Sequence, residues 1–168
     1  MGGRYAEGTT VTVERSKAEI EGTVRRYGAT SFISGYDEHS AFVLFKANGR
    51  MVRFHVPIPA AADPMFARDG RKNTRTPEQR QRAAAGEEMR LWRCLLLAIK
   101  SKLEVVESGI SSFEQEFLAH IVLPDSTTVA DWIGPQLEDA YASGTMPAAL
   151  PALGPTTDRL ELGPGDGR

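Results

Sequence analysis

Cysteine is nearly absent: Cys94 is the single one in 168 residues. One thiol excludes an internal disulfide framework and a cysteine-built zinc site. Long apolar runs are missing as well, none reaching the roughly 18–20 residues of a membrane span. The start Met1-Gly2-Gly3-Arg4-Tyr5 lacks the apolar core of a secretory signal, and Ala6 stands where N-myristoylation needs Ser or Thr. These absences predict a soluble, cytoplasmic protein with no membrane partner. Gly35, Gly49 and Gly70 sit at spacings unrelated to a Walker or Rossmann loop, and no Gly-x-Ser-x-Gly elbow occurs. Cys94, flanked by Trp92, Leu95 and Leu96, reads as an inert, buried or half-buried thiol rather than a nucleophile. No motif asks for a cofactor.

Positive charge is scarce in one half only. Residues 104–168 hold 2 Lys+Arg against 11 Asp+Glu, whereas residues 1–103 hold 18 against 11. The net charge of -2 therefore joins a basic part to an acidic one. The remaining composition, 41% hydrophobic and 25% charged, is that of an ordinary globular chain with room for one domain.

The apolar periodicity changes along the chain. Ser16-Lys17-Ala18-Glu19 has the form of a capping box, and Ile20, Val24 and Tyr27 follow at helical spacing, which predicts a helix over about 16–27. Thr30–Tyr36, Ser40–Ala47 and Arg50–Val56 are rich in aromatic and β-branched residues. Asn48-Gly49 between the last two is a strong hairpin signal. A two-residue turn there pairs Phe45 with Val52, Val43 with Phe54 and Ala41 with Val56 on an apolar face. It pairs Lys46 with Met51, Leu44 with Arg53 and Phe42 with His55 on the other.

Residues 58–76 read as a basic, flexible loop. Thr76-Pro77-Glu78-Gln79 then opens a helix running to Ser108, with Ala85, Met89, Trp92, Leu96, Ile99, Leu103 and Val106 as its stripe. Phe113–Val122 is predicted as a second helix. A third begins near Thr128, burying Val129, Trp132, Leu137 and Tyr141, with a kink at Gly134-Pro135 and a stop at Gly144. The predicted fold is α+β: an N-terminal helix, a three-stranded antiparallel meander, then a long helix and two shorter ones packed on one sheet face. Residues 1–144 would form a single domain, with 145–168 a Pro/Gly-rich, mostly disordered tail.

Several stretches together carry a likeness. Tyr5-Ala6-Glu7 precedes Val13-Glu14-Arg15-Ser16-Lys17-Ala18-Glu19-Ile20-Glu21, and Arg26-Tyr27-Gly28-Ala29 and Gly49-Arg50-Met51-Val52-Arg53-Phe54 follow. Later come Ala98-Ile99-Lys100-Ser101-Lys102-Leu103-Glu104 and the run from Phe113 to Pro124. Over roughly residues 5–153 the chain resembles a family of small bacteriophage and prophage proteins with no assigned function. That resemblance implies expression inside a bacterial host cell and brings no catalytic or binding residues with it.

Three candidate surfaces come from the residues themselves. Between Lys46 and Arg82 lie Lys46, Arg50, Arg53, Arg68, Arg71, Lys72, Arg75, Arg80 and Arg82, against only Asp63, Asp69 and Glu78. Such density suits phosphate backbones, and Phe42 and His55 beside Arg53 suit stacking of bases, so DNA or RNA is the expected partner. The competing reading is a solvated linker, with Phe42 and Leu44 packed under a helix and an overall pI near 6.0 against a dedicated nucleic-acid binder.

Second, Glu104, Glu116 and His120 would face one another if the long helix and Phe113–Val122 formed a hairpin, a weak candidate metal site. The Glu-x-x-His spacing of bundle di-metal sites is absent, and a hydrogen-bonded His120 beside a surface carboxylate is the alternative. Third, the stripe of the long helix either packs on the sheet or pairs with a second copy in a homodimer. The functional expectation is a non-enzymatic phage accessory protein touching nucleic acid. The alternatives are a modulator of a host or phage protein, acting through the acidic half, and a metal-dependent nucleotide or nucleic-acid enzyme.

Overall fold

The computed structural model describes residues 4–37 and 40–145. The order is α1 (Val13–Arg26), β1 (Ser31–Tyr36), β2 (Ser40–Ala47), β3 (Arg50–Pro57), a 3-10 turn (Pro64–Phe66), α2 (Pro77–Glu107), α3 (Phe113–Phe117), a second 3-10 turn (Leu118–His120) and α4 (Val129–Ser143). This is the expected α+β arrangement. The chain divides into two compact units, Met1–Asp131 and Trp132–Arg168. Of the predicted tail, everything after Thr145 lies outside the described residues.

The sheet is the antiparallel meander β1-β2-β3, and its β2–β3 register matches the hairpin arithmetic at all six predicted pairs. Asn48 and Gly49 both take positive φ, 49° and 73°, as a two-residue turn that matches strand twist demands. Ala41, Val43, Phe45, Val52, Phe54 and Val56 of the apolar face are buried with Ile20 and Val24 of α1 and with Trp92, Leu96, Ile99 and Leu103 of α2. Phe117 closes the core edge-on, its ring centroid 5.9 Å from Phe45 and 6.3 Å from Phe54. The stripe of α2 is therefore internal core. Ala84, not Ala85, is its buried N-terminal member.

Four local expectations need correction. First, α1 starts at Val13, three residues before the predicted cap. The Thr12 hydroxyl accepts from the Arg15 N–H at 3.2 Å, while Ser16 is fully buried and donates to the Thr12 carbonyl. The Ser16–Glu19 spacing imitates a capping box, but Glu19 turns outward to Arg93 and Arg15. Second, α3 stops at Phe117, short of Val122. Ile121 is extended and bridges to Val52, and the Val122 N–H donates to the Met51 carbonyl at 2.8 Å. The open backbone of β3 is a better partner for two β-branched residues than another helical turn.

Third, residues 58–76 are not structureless. They hold the 3-10 turn that buries Phe66, and Arg68 bridges to Thr74. Fourth, α4 buries none of its described residues: Val129 is half-buried, and Trp132, Leu137 and Tyr141 are exposed. An apolar stripe identifies a face without saying what covers it. The Thr128 cap is as read, its hydroxyl accepting from the Asp131 N–H, and Pro135 lies inside the helix. No helix among the described residues is long and apolar enough to cross a membrane.

Candidate nucleic-acid interface

The basic arm runs from Arg68 into the first turns of α2. Its tip is a closed loop. The Asp69 N–H donates to the Asn73 carbonyl, the Lys72 N–H to the Asp69 carbonyl and the Arg75 N–H to the Ala67 carbonyl, at 2.9–3.0 Å. The Asp69 carboxylate sits inside this loop and accepts from the N–H groups of Arg71 and Asn73 and from the Asn73 side chain. Those Asn73 bonds, with the nearby Arg75 charge, hold its carboxyl below the ordinary value. The other acid of the arm, Glu78, is held low by its own backbone N–H and by Thr76 at the helix start. Thr76 and Gln79 form the reciprocal capping box that begins α2.

The Asp69 carboxylate is thus engaged in organising the backbone of the arm. Among the described residues, Arg68, Arg71, Lys72, Arg75, Arg80 and Arg82 have no carboxylate within 4.0 Å. All but the half-buried Arg75 and Arg80 are exposed. Arg68 and Arg75 border a cleft of about 520 Å³ with Arg4 and Arg90, and Arg75 and Arg82 flank a shallower one of about 370 Å³ beside Asp69. Arg4 and Arg90 escaped the sequence reading. Arg90 lies one helical turn from Glu87 and its pairing is legible there, but Arg4 reaches Glu87 only through the fold, at 2.9 Å.

The other cations named with the arm stand apart from it. Arg50 faces Glu114 at 4.0 Å and the half-buried Arg53 faces Asp131 at 3.6 Å, so acids of the C-terminal half neutralise both. Lys46 is exposed at the end of β2. Phe42, Arg53 and His55 do share a groove, of about 380 Å³, with Leu44, Met51 and Val122 on the open face of the sheet. The clefts bordered by the arm include none of these residues. Phe42, Arg53 and His55 thus line a sheet groove with an ion-paired arginine, while the arm borders other clefts.

The candidate metal residues are not assembled. Glu104 accepts the Tyr27 hydroxyl at 2.5 Å, a bond that raises the Tyr27 pKa. Glu116 faces Lys102, whose ammonium also donates to the Glu116 carbonyl at 2.7 Å. His120 stacks on Phe54 at 3.9 Å between centroids. Burial, then the Lys102 charge, push its pKa below the ordinary value, against a hydrogen bond to the Arg53 backbone. Because α3 ends at Phe117, His120 leaves the helix face that it would have shared with Glu116. No group of three or more His, Cys, Asp or Glu able to hold a metal occurs among the described residues. Cys94 is half-buried, with the Arg90 guanidinium 3.2 Å from its sulfur. No protein family, curated protein or solved structure matches the chain.

Proposed function

We propose that this protein binds the phosphate backbone of nucleic acid through the arm Arg68–Arg82. It would act as a non-enzymatic accessory protein in phage DNA metabolism or control inside the bacterial cell, a setting that comes from the sequence resemblance. One observation carries the reading: six cations with no carboxylate within 4.0 Å among the described residues follow one another along a loop and the first turns of α2, and the Asp69 carboxylate among them is bonded to the loop's own backbone. Paired cations gain little from a polyanion, because the existing ion pair must be broken, whereas unpaired ones release counterions from the phosphates directly. Arginine predominates in the arm, which suits bidentate phosphate contact.

The test is a mobility-shift titration of the full chain with single-stranded DNA, duplex DNA and RNA at low salt. Binding is expected to fall steeply with salt, with a log–log slope of roughly -4 for single strands and roughly -5.5 for duplex DNA if all six cations touch phosphates. Absence of a shift with all three at low salt overturns the proposal.

A second reading, a modulator that binds a host or phage protein, is favoured by α4. Its Trp132, Ile133, Leu137 and Tyr141 are exposed, with Glu138 and Asp139 on the same helix. Capture of a protein partner that survives charge reversal in the arm and is lost in Trp132→Ser would support it.

A further inference from the structure

The two edges of the sheet are treated differently. On the β3 side, Ile121 and Val122 occupy the edge through the Val52 bridge and the Met51 carbonyl. On the β1 side, no backbone or side-chain group among the described residues bonds to the outer edge of Ser31–Tyr36. Edge strands normally carry lysine, proline or a bulge that discourages further pairing. β1 reads Ser-Phe-Ile-Ser-Gly-Tyr, with no charge and no proline, and pairs with β2 without a register break.

The ladder tells which of its groups point outward. The two-residue turn at Asn48-Gly49 makes Ala47 and Arg50 the closing hydrogen-bonded pair of the β2–β3 hairpin. Ala41, Val43, Phe45 and Ala47 therefore bond to β3, and the alternate residues of β2 bond to Ser31, Ile33 and Gly35. The Asp37 N–H donating to the Ser40 carbonyl at 2.7 Å keeps the same phase. The N–H and C=O groups of Phe32, Ser34 and Tyr36 are left facing outward.

We infer that this edge pairs with the same edge of a second copy, antiparallel about a two-fold axis at Ser34. The register is self-complementary. Ser34 meets Ser34 of the second copy, Phe32 meets Tyr36 and Tyr36 meets Phe32, closing a ladder of about six backbone hydrogen bonds. The side chains agree. Tyr36, 78% exposed, and the half-buried Phe32 form an aromatic cross-strand pair on the core side. On the open side Ile33, 54% exposed, lies opposite Gly35 of the second copy. The Phe42 ring lies over Gly35, where a Cβ would meet it at 2.5 Å and force it to shift. Ile33 from the second copy packs beside that ring, and no charged residue of either strand meets its like. The two three-stranded sheets become one continuous sheet. The inference does not rest on nucleic-acid binding, since no residue of the arm takes part.

Sedimentation velocity of the full chain at rising concentration is expected to show a reversible monomer–dimer equilibrium, because six residues a side make a small interface. Ile33→Lys, at an exposed position on the open face, should weaken the dimer by about tenfold or more. Arg71→Glu with Lys72→Glu should leave it unchanged. In the Cys94→Ser background, nitroxides on Ser31→Cys should report a distance of roughly 20 Å between copies, set by the six-residue offset about Ser34. A monomer at all concentrations overturns the inference. So does a dimer that tolerates Ile33→Lys, or one that holds the labels at a different distance. Retained dimerisation with failed nucleic-acid binding would overturn only the function proposed above.

Discussion

In the seam between α1 and α2, Arg93 reaches across to Glu19 at 2.6 Å, and Arg90 forks onto Glu87, which Arg4 approaches from the other side. The Arg90–Glu87 pair is mostly shielded, with 13% and 11% of the two side chains exposed. The arginines of the 68–82 arm, a few residues away in sequence, make no ion pair within 4.0 Å among the described residues. The same side chain holds the fold in one region and stands ready for a polyanion in the other. What separates the two is where the carboxylates go: Glu19 and Glu87 face arginines, while Asp69 faces backbone N–H groups of its own loop. Counting charges in a window cannot reveal this, because a carboxylate in an Asx-type loop counts as a charge while its hydrogen-bonding capacity is already engaged.

The sharpest break of this contrast is the triple reversal Arg71→Glu, Lys72→Glu and Arg75→Glu. Nucleic-acid affinity at low salt should fall by about a hundredfold or more. The thermal midpoint should change little, because none of the three side chains makes an ion pair within 4.0 Å among the described residues. Fluorescence anisotropy and calorimetry on one preparation measure both, and a matching loss of stability would show that the arm is structural. Glu87→Ala is the mirror experiment. It strips two arginines of their shared partner and should cost about 1–3 kcal/mol in urea unfolding without weakening nucleic-acid binding. Unchanged stability would put paired and unpaired arginines on the same footing.

Asp69→Ala separates charge from shape. If bare charge governs binding, removing an acid tightens it; if the loop presents the cations, binding should weaken by a few-fold through lost preorganisation. We expect the weakening, read from the same anisotropy titration.

The smallest effect concerns His120. Its folded pKa lies below the ordinary 6.5, so between the two values the unfolded chain takes up a proton that the native state refuses. The stability it contributes is complete above about pH 6.5 and is lost as pH falls toward the folded pKa. Glu19 and Glu87, lowered chiefly by Arg93 and Arg90, lose theirs only in the carboxylate range. Melting curves from pH 7.5 to 5 should therefore slope downward on the acid side, and His120→Gln should flatten that slope. An unchanged slope in the variant would assign it to other groups.

Much of the fold was legible because it depends on local rules. Asn48-Gly49 dictated a turn, the turn dictated the register, and alternation then sorted Val43, Phe45, Val52 and Phe54 to one face. Thr76-Pro77-Gln79 began α2 for equally local reasons. The misses have different causes. Ile121 leaves the helical pattern for the open edge of β3, distant in the chain, while Ser16 gives up the cap to Thr12 and is buried, and Phe66 is buried within a polar loop. The candidate site divided along the same line. The cations of the arm and their density were visible in the chain. That Glu114 and Asp131 neutralise Arg50 and Arg53, and that Arg4 and Arg90 border the cleft of the arm, was not.

Sequence alone thus settled the order of the main helices and strands, the hairpin register and the sign of the charge in each half, because these follow from hydrogen bonds and side-chain alternation a few residues apart. Only the tertiary structure decided which charges remain free and which strand edge stays open. Both depend on groups separated by dozens of residues, and an ion pair or a ladder bond exists only when the fold brings its two ends within a few ångströms.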